Sequence, residues 1–193
     1  MLNNFGKQML RVHLIENTSN LGPFVCRNKG VIYANRVGGG QILMFLDSDD
    51  TLDNNTCEEV ALSFEKQIDL CVFQFKHQEG EVQYQEKSWF DRDLSLSFNE
   101  FEKLWIHNGG SNLINSLCNK AFKKEIFIKN FEQNLKNIQD KLLMTENTIV
   151  SISYLFYVKL VRLLNQSSYM YYINENLATQ EKTNYLNPHY KGF

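Results

Sequence analysis

The chain of 193 residues lacks any excess of charge of one sign: 20 Lys and Arg stand against 22 Asp and Glu, a formal net charge of -2. No basic field recruits nucleic acid, which is excluded as a partner. Cysteine is sparse. Cys26, Cys57, Cys71 and Cys118 are widely spaced, without a metal-type or redox pair, and are expected to be reduced, mostly buried thiols of a cytoplasmic protein. Long apolar runs are missing too. The best candidate, residues 149–164, is interrupted by Lys159 and Arg162 and is too short to cross a membrane, so a core helix is expected there. The polar N-terminus carries no apolar segment of the secretory kind, and neither internal repeats nor low-complexity tracts occur. What is present is globular in character, 43% hydrophobic and 13% aromatic, enough for one domain with a sizeable core.

The chain is organised around residues 41–52, Gln-Ile-Leu-Met-Phe-Leu-Asp-Ser-Asp-Asp-Thr-Leu. The unbroken apolar run 42–46 suits a strand buried on both faces of a mostly parallel sheet. It ends on Asp47, Asp49 and Asp50, at the place where open α/β sheets bind ligands. Strand alternation would turn Asp47 and Asp49 to one side. Two carboxylates so placed repel unless a cation lies between them, and Mg²⁺ or Mn²⁺ shared with substrate phosphate is the natural occupant. The bland alternative is that Asp50, Thr51 and Asp53 cap or turn the chain. A calcium loop is rejected because Leu52 stands where that loop needs glycine.

Around this stretch the pattern predicts a strand at 10–16, a turn at 17–23, a helix at 25–37 closed by Gly38, Gly39 and Gly40, and an amphipathic helix at 54–66 with Val60, Ala61 and Phe64 on one face. A strand at 69–75 with an antiparallel partner at 81–87 follows, then a helix at 99–107, a loop at 108–112, mixed strand and helix at 117–129, a long helix opening at Thr145, and a tyrosine-rich strand at 168–173. This order is α/β with an antiparallel addition.

Two enzyme families place a divalent ion at such a strand end. Residues 47–52 fit the D-x-D-x-T-L pattern of haloacid-dehalogenase-type phosphatases, in which Asp47 would attack phosphorus and Asp49 serve as acid and base. Asp50 departs from the glycine usual there, and no second strand-terminal acidic pair follows. The other resemblance uses more of the chain. Cys26-Arg27-Asn28-Lys29-Gly30 followed by Phe45-Leu46-Asp47-Ser48-Asp49-Asp50 is similar to the A-R-N-x-G and F-L-D-x-D-D motifs of glycosyltransferase family 2. Leu117-Cys118-Asn119-Lys120-Ala121-Phe122-Lys123 resembles the family's W-N-K-L-Y-K segment. Met144-Thr145-Glu146-Asn147 stands at its E-D helix start, and Ser168-Tyr169-Met170-Tyr171-Tyr172 at its closing L-Y-x-Y strand.

That resemblance implies a partial GT-A fold over residues 1–174, a Rossmann-like mixed sheet flanked by helices, with a loosely held tail at 175–193. It implies transfer of a sugar, with inversion, from a nucleotide-sugar donor of UDP type to a glycan or lipid-linked acceptor, in a surface-polysaccharide or lipooligosaccharide pathway by analogy. Asp47 and Asp49 would hold Mn²⁺ or Mg²⁺. Arg27, Asn28, Asp47 and Lys120 would contact the donor, with Arg27 as a surface helix charge and Lys120 as a solvated lysine the alternatives. A cytoplasmic place is expected, with peripheral association at the inner face of the membrane compatible.

Two departures bear on activity. Nothing in residues 1–10 resembles the family's first strand, so its N-terminal nucleotide-binding strands are expected to be missing, and an inactive or split-protein remnant is the alternative reading. At the usual general-base position stands Asn147, which cannot accept a proton. Glu146 adjoins it but is expected to point about 100° away on a helix.

Overall fold

The computed structural model describes residues 12–85, 90–108, 116–138 and 146–173. Gly22 donates its N–H to Asn20 Oδ1 at 3.0 Å, and Pro23 in the first turn opens helix α1, Gly22–Arg36. The helix stops at the three glycines for a steric reason. Gly38 takes φ +71° and Gly39 donates to Ala34 O at 2.8 Å, so close that a Cβ on Gly39 would meet the same oxygen. Strand β1, Ile42–Met44, leads to a turn and the short β2, Thr51–Leu52. Helix α2, Thr56–Phe64, precedes β3, Leu70–Glu79, which folds back through Gly80 onto β4, Val82–Gln85. Strand β5, Leu94–Ser97, passes straight into α3, Phe98–His107, whose start is a capping box between Ser97 and Glu100. Then come β6, Lys120–Lys123, helix α4, Lys124–Asn130, a π-helical turn at Phe131–Leu135, helix α5, Glu146–Leu155, and the long β7, Leu160–Ile173.

Seven strands among the described residues form one mixed sheet in the order β1-β6-β3-β7-β2, with β4 on β3 and β5 on β7. Helices flank both faces. On one side Phe24 and Val31 of α1, Phe101 of α3, Phe127 of α4 and Val150 and Tyr154 of α5 pack on Leu70, Val72, Phe122, Val161 and Leu163. On the other, Val60 and Phe64 of α2 pack with Cys71, Phe73, Ala121, Leu164 and Tyr169. The split follows from strand alternation: Leu70 and Val72 face one layer, Cys71 and Phe73 the other.

Several expectations are corrected. The sheet is not mostly parallel, because among the described residues β3 and β7 form the one parallel pair and the other ladders are antiparallel. Strand β1 is not central. It pairs with β6 alone among the described residues and is only partly buried. Residues 12–16 carry no regular structure, and Val12, Leu14 and Ile15 are exposed; residues 10 and 11 of that expected strand lie outside the described residues. Ala61 is exposed while Val60 and Phe64 face the core. The long helix 145–164 is two elements. The chain turns at Phe156 and Tyr157, after which Val161, Arg162 and Leu163 alternate in and out against β3, so pairing overrides a sequence that also suits a helix. Gly109 to Asn112, Thr145 and the tail at 174–193 lie outside the described residues. No described helix is long and apolar enough to cross a membrane.

Buried Tyr154 joins the layers, donating to Asp69 O at 2.6 Å and accepting from Lys123 N at 2.9 Å. Lys123 N also donates to Asp69 O at 3.2 Å, so Tyr154→Phe removes two hydrogen bonds while the two backbone groups keep each other, and it is expected to lower stability by about 1 kcal/mol, measured by urea denaturation.

Candidate active site

The C-terminal end of β1, the N-terminal end of β6 and the start of α5 converge on one side chain of α1. The inward face of α1 carries Phe24, Asn28 and Val31, and Arg27 lies beside it with a side chain only 17% exposed. Its guanidinium donates from Nη2 to Asp47 Oδ1 at 2.6 Å and from Nη1 to Asn147 Oδ1 at 2.7 Å, and Nη1 stands 3.8 Å from Glu146 Oε1. Arg27 is thus no surface charge. Glu146 and Asn147 both reach it because they occupy the opening of α5, so the expected divergence of their side chains does not keep Glu146 out. Asn28, Arg27 and Glu146 line a narrow cavity with Phe45 and Leu117.

The acidic stretch is a turn, not a continuing strand: pairing of β1 ends at Met44, and Asp50 N donates to Asp47 O at 3.2 Å. The alternation argument for Asp47 and Asp49 therefore does not apply. Asp49 is exposed, whereas Asp50 is buried. Asp50 is a structural tie. Its Oδ2 accepts from the Tyr169 hydroxyl at 2.5 Å and its Oδ1 from Tyr172 N at 3.0 Å. Burial holds its carboxyl above the usual carboxylate range, against those two hydrogen bonds, and the neighbouring Asp49 and Asp47 add to the rise. The Tyr169 hydroxyl also accepts from Asp47 N at 3.4 Å.

Two participants went unrecognised in the sequence. Of the four cysteines, expected to be mostly buried, Cys71 and Cys118 are buried but Cys26 and Cys57 are exposed; Cys118 Sγ also donates to Asp47 Oδ2 at 3.2 Å, and burial, and then the Asp47 charge, push that thiol up to about 12. In the sequence Tyr169 is legible only as part of the closing strand. The signal available for both was their place inside the N-K and Y-x-Y segments. Lys120 is not a solvated lysine: it is 1% exposed, with Nζ donating to Ser116 O and, at 2.9 Å, to Asn119 Oδ1. Burial draws its pKa down to about 7.

A sequence profile described as Glycosyl transferase family 2 matches residues 1–131, more than half of the chain. The chain belongs to glycosyl transferase family 2. No curated protein matches it. Membership displaces the phosphatase pattern, in which Asp47 would be the nucleophile. The family 2 match takes in Arg27, Asn28, Asp47, Asp49 and Lys120, while Glu146, Asn147 and β7 lie beyond it. Among the described residues no group of three or more His, Cys, Asp or Glu side chains is disposed to hold a metal ion. Asp47 and Asp49 alone provide at most two carboxylates, a set that suits Mg²⁺ or Mn²⁺ only where phosphate oxygens and water complete the coordination.

Asp50→Ala strands the Tyr169 hydroxyl and the Tyr172 N–H and is expected to cost about 2–3 kcal/mol, while exposed Asp49→Ala changes stability by less than about 0.5 kcal/mol; paired urea melts read the difference. Lys120 has a lowered folded pKa, so the unfolded chain holds more protons above pH 7 and stability rises with pH. Between roughly pH 7 and 8.5, below the range where raised Cys71 and Cys118 act in the opposite sense, the slope is expected to approach about 1 kcal/mol per pH unit. Lys120→Met flattens it in the same melts.

Proposed function

We propose that the chain transfers a sugar from a nucleotide-sugar donor of UDP type to a hydroxyl of a glycan or lipid-linked acceptor, with inversion at the anomeric carbon, on a GT-A-type sheet. The observation that carries this reading is the meeting of Asp47, Glu146 and Asn147 on one guanidinium, that of Arg27. It sets a proton-accepting carboxylate and a phosphate-side carboxylate around a common cation at a sheet end.

The roles follow from the chemistry of each group. Exposed Asp49 and partly exposed Asp47, whose Oδ2 accepts from the weakly donating Cys118 thiol, fit a Mg²⁺ or Mn²⁺ ion together with diphosphate oxygens. Such an ion, when bound, supplies positive charge against the leaving diphosphate. Arg27 has the planar fork to pair with phosphate as well as with Asp47, and Asn28, buried beside it and lining the same narrow cavity, is the further group assigned to the donor side. Lys120 serves the donor indirectly, by holding residues 116–119 so that Cys118 stays against Asp47. Glu146 takes the proton of the acceptor hydroxyl. The acceptor oxygen bonds to the anomeric carbon as the sugar–phosphate bond breaks, and the electron pair leaves on the diphosphate. Asn147 cannot take that proton; it orients Arg27.

Titration calorimetry with UDP and Mn²⁺ is expected to give heat that Asp49→Asn abolishes and that Arg27→Ala weakens by about ten-fold or more. Glu146→Gln is expected to keep UDP binding and to slow release of UDP from UDP-sugars by roughly a hundred-fold. Undiminished heat in Asp49→Asn rejects the assigned site.

A further inference from the structure

Strands β3 and β7 run on past the acidic turn, and the face they share there is aromatic. In register Phe75 lies beside Tyr169 and His77 beside Tyr171, while Tyr84 of β4 lies beside His77 from the other side. Laterally paired residues project from the same face, so these five rings form two rows across the sheet. Their geometry bears this out. Phe75 and Tyr169 meet edge to face at 5.2 Å and 85°. In the outer row the His77 and Tyr84 rings stack at 5.0 Å and 6°, and His77 and Tyr171 meet at 5.6 Å and 73°.

The inner row is tied to the candidate active site, since the Tyr169 hydroxyl holds Asp50 and the N–H of Asp47. The outer row follows two residues further along the same pair of strands. Burial, and then the charges of Asp50, Asp49 and Asp47, hold the Tyr171 phenol above its ordinary range. The row ends at β4, which pairs with β3 alone among the described residues, and Tyr84 there is 42% exposed although one ring face is covered by His77. The His77 ring is taken up between Tyr84 and Tyr171 with its nitrogens buried, so the flat face the row offers is that of Tyr84 turned away from His77, with the hydroxyls of Tyr84 and Tyr171 as its polar groups. A saccharide has the matching chemistry: an apolar C–H face that lies on the electron-rich face of a ring, and hydroxyls that bond at its rim.

We propose that the Tyr171–His77–Tyr84 row is a stacking subsite for a sugar unit of the acceptor, remote from the hydroxyl that reacts. The inference rests on the transferase reading for its direction, and the row's position supports it. Arg27, Glu146 and Asn147 approach Asp47 with the layer of α1 and α5, whereas the rows belong to the opposite face of the sheet. A sugar on Tyr84 therefore lies across the acidic turn from Arg27 and from Glu146, so an acceptor that reaches it from the hydroxyl at Glu146 spans more than one sugar. The occupant is a glycan chain, with a nucleotide base the rival that stacking also allows.

Saturation-transfer NMR on the full chain tests this with methyl β-glucoside, methyl β-galactoside, lactose, cellobiose and maltotriose as probes. Transfer to at least one oligosaccharide, stronger than to the methyl glycosides, is expected. It falls by about five-fold in Tyr84→Ala and persists in Tyr84→Phe, both variants being checked by thermal melting. Absence of transfer to every probe, or equal transfer in Tyr84→Ala, overturns the subsite. Loss of UDP and Mn²⁺ heat in Tyr84→Ala also overturns it, because the row then serves the base. If the unaltered chain binds these oligosaccharides but gives no heat with UDP and Mn²⁺, the saccharide row stands and the transferase reading falls.

Discussion

The site depends on one guanidinium. Arg27 is held mostly out of solvent on α1 and joins Asp47, 20 positions away, to Asn147, 120 positions away. A planar fork with fixed donor directions serves two acceptors at once in a way that the single ammonium of lysine does not. The charge matters as much as the shape. Asp47 and Glu146 are both acidic, and a cation between them makes their approach favourable where it would otherwise be repulsive. The inward packing of Phe24 and Val31 is what delivers the guanidinium to this place, so the helix and the site stand or fall together.

A second constraint is the length of β7. Its first half, between β3 and β5, completes the core with Val161 and Leu163. Its second half, between β3 and β2, carries Tyr169 to Asp50 and the outer tyrosines past the turn. A register irregularity after Phe73 on β3 separates the halves, consistent with the change from a strand that serves packing to one that serves a site. The same hydroxyl of Tyr169 bonds the Asp50 side chain and the Asp47 backbone, so the shape of the acidic turn is set from the side opposite to Arg27.

Legibility divided along the range of the forces involved. Helix α1 with its glycine stop, α2, α3 and the β3–β4 hairpin were all visible in the chain, because their determinants lie within a few residues of one another. Residues 12–16 show apolar alternation and yet form no strand, since Val12, Leu14 and Ile15 find no buried partner among the described residues. Residues 149–164 have apolar spacing compatible with one helix, and their division at Phe156 was decided by pairing of β7 with β3. For β1, the apolar run announced a strand but not that it would pair on one side with β6.

The candidate site shows the same division in its chemistry. Residue types and spacing in the chain sufficed to mark Asp47 and Asp49 as an acidic strand end, to join Arg27 and Asn28 to it through a family motif, and to set Asn147 apart as a group unable to accept a proton. They did not suffice to separate Asp49 from Asp50, or Lys120 from a solvated lysine, because burial is a property of the neighbours and not of the residue. Only the tertiary structure sorted the three aspartates into an arginine partner, an exposed carboxylate and a buried tie, through contacts with Arg27, Cys118, Tyr169 and Tyr172. Local propensity acts within a turn or two of chain. Desolvation and pairing across 20 to 120 positions exist only once the sheet has brought distant segments together.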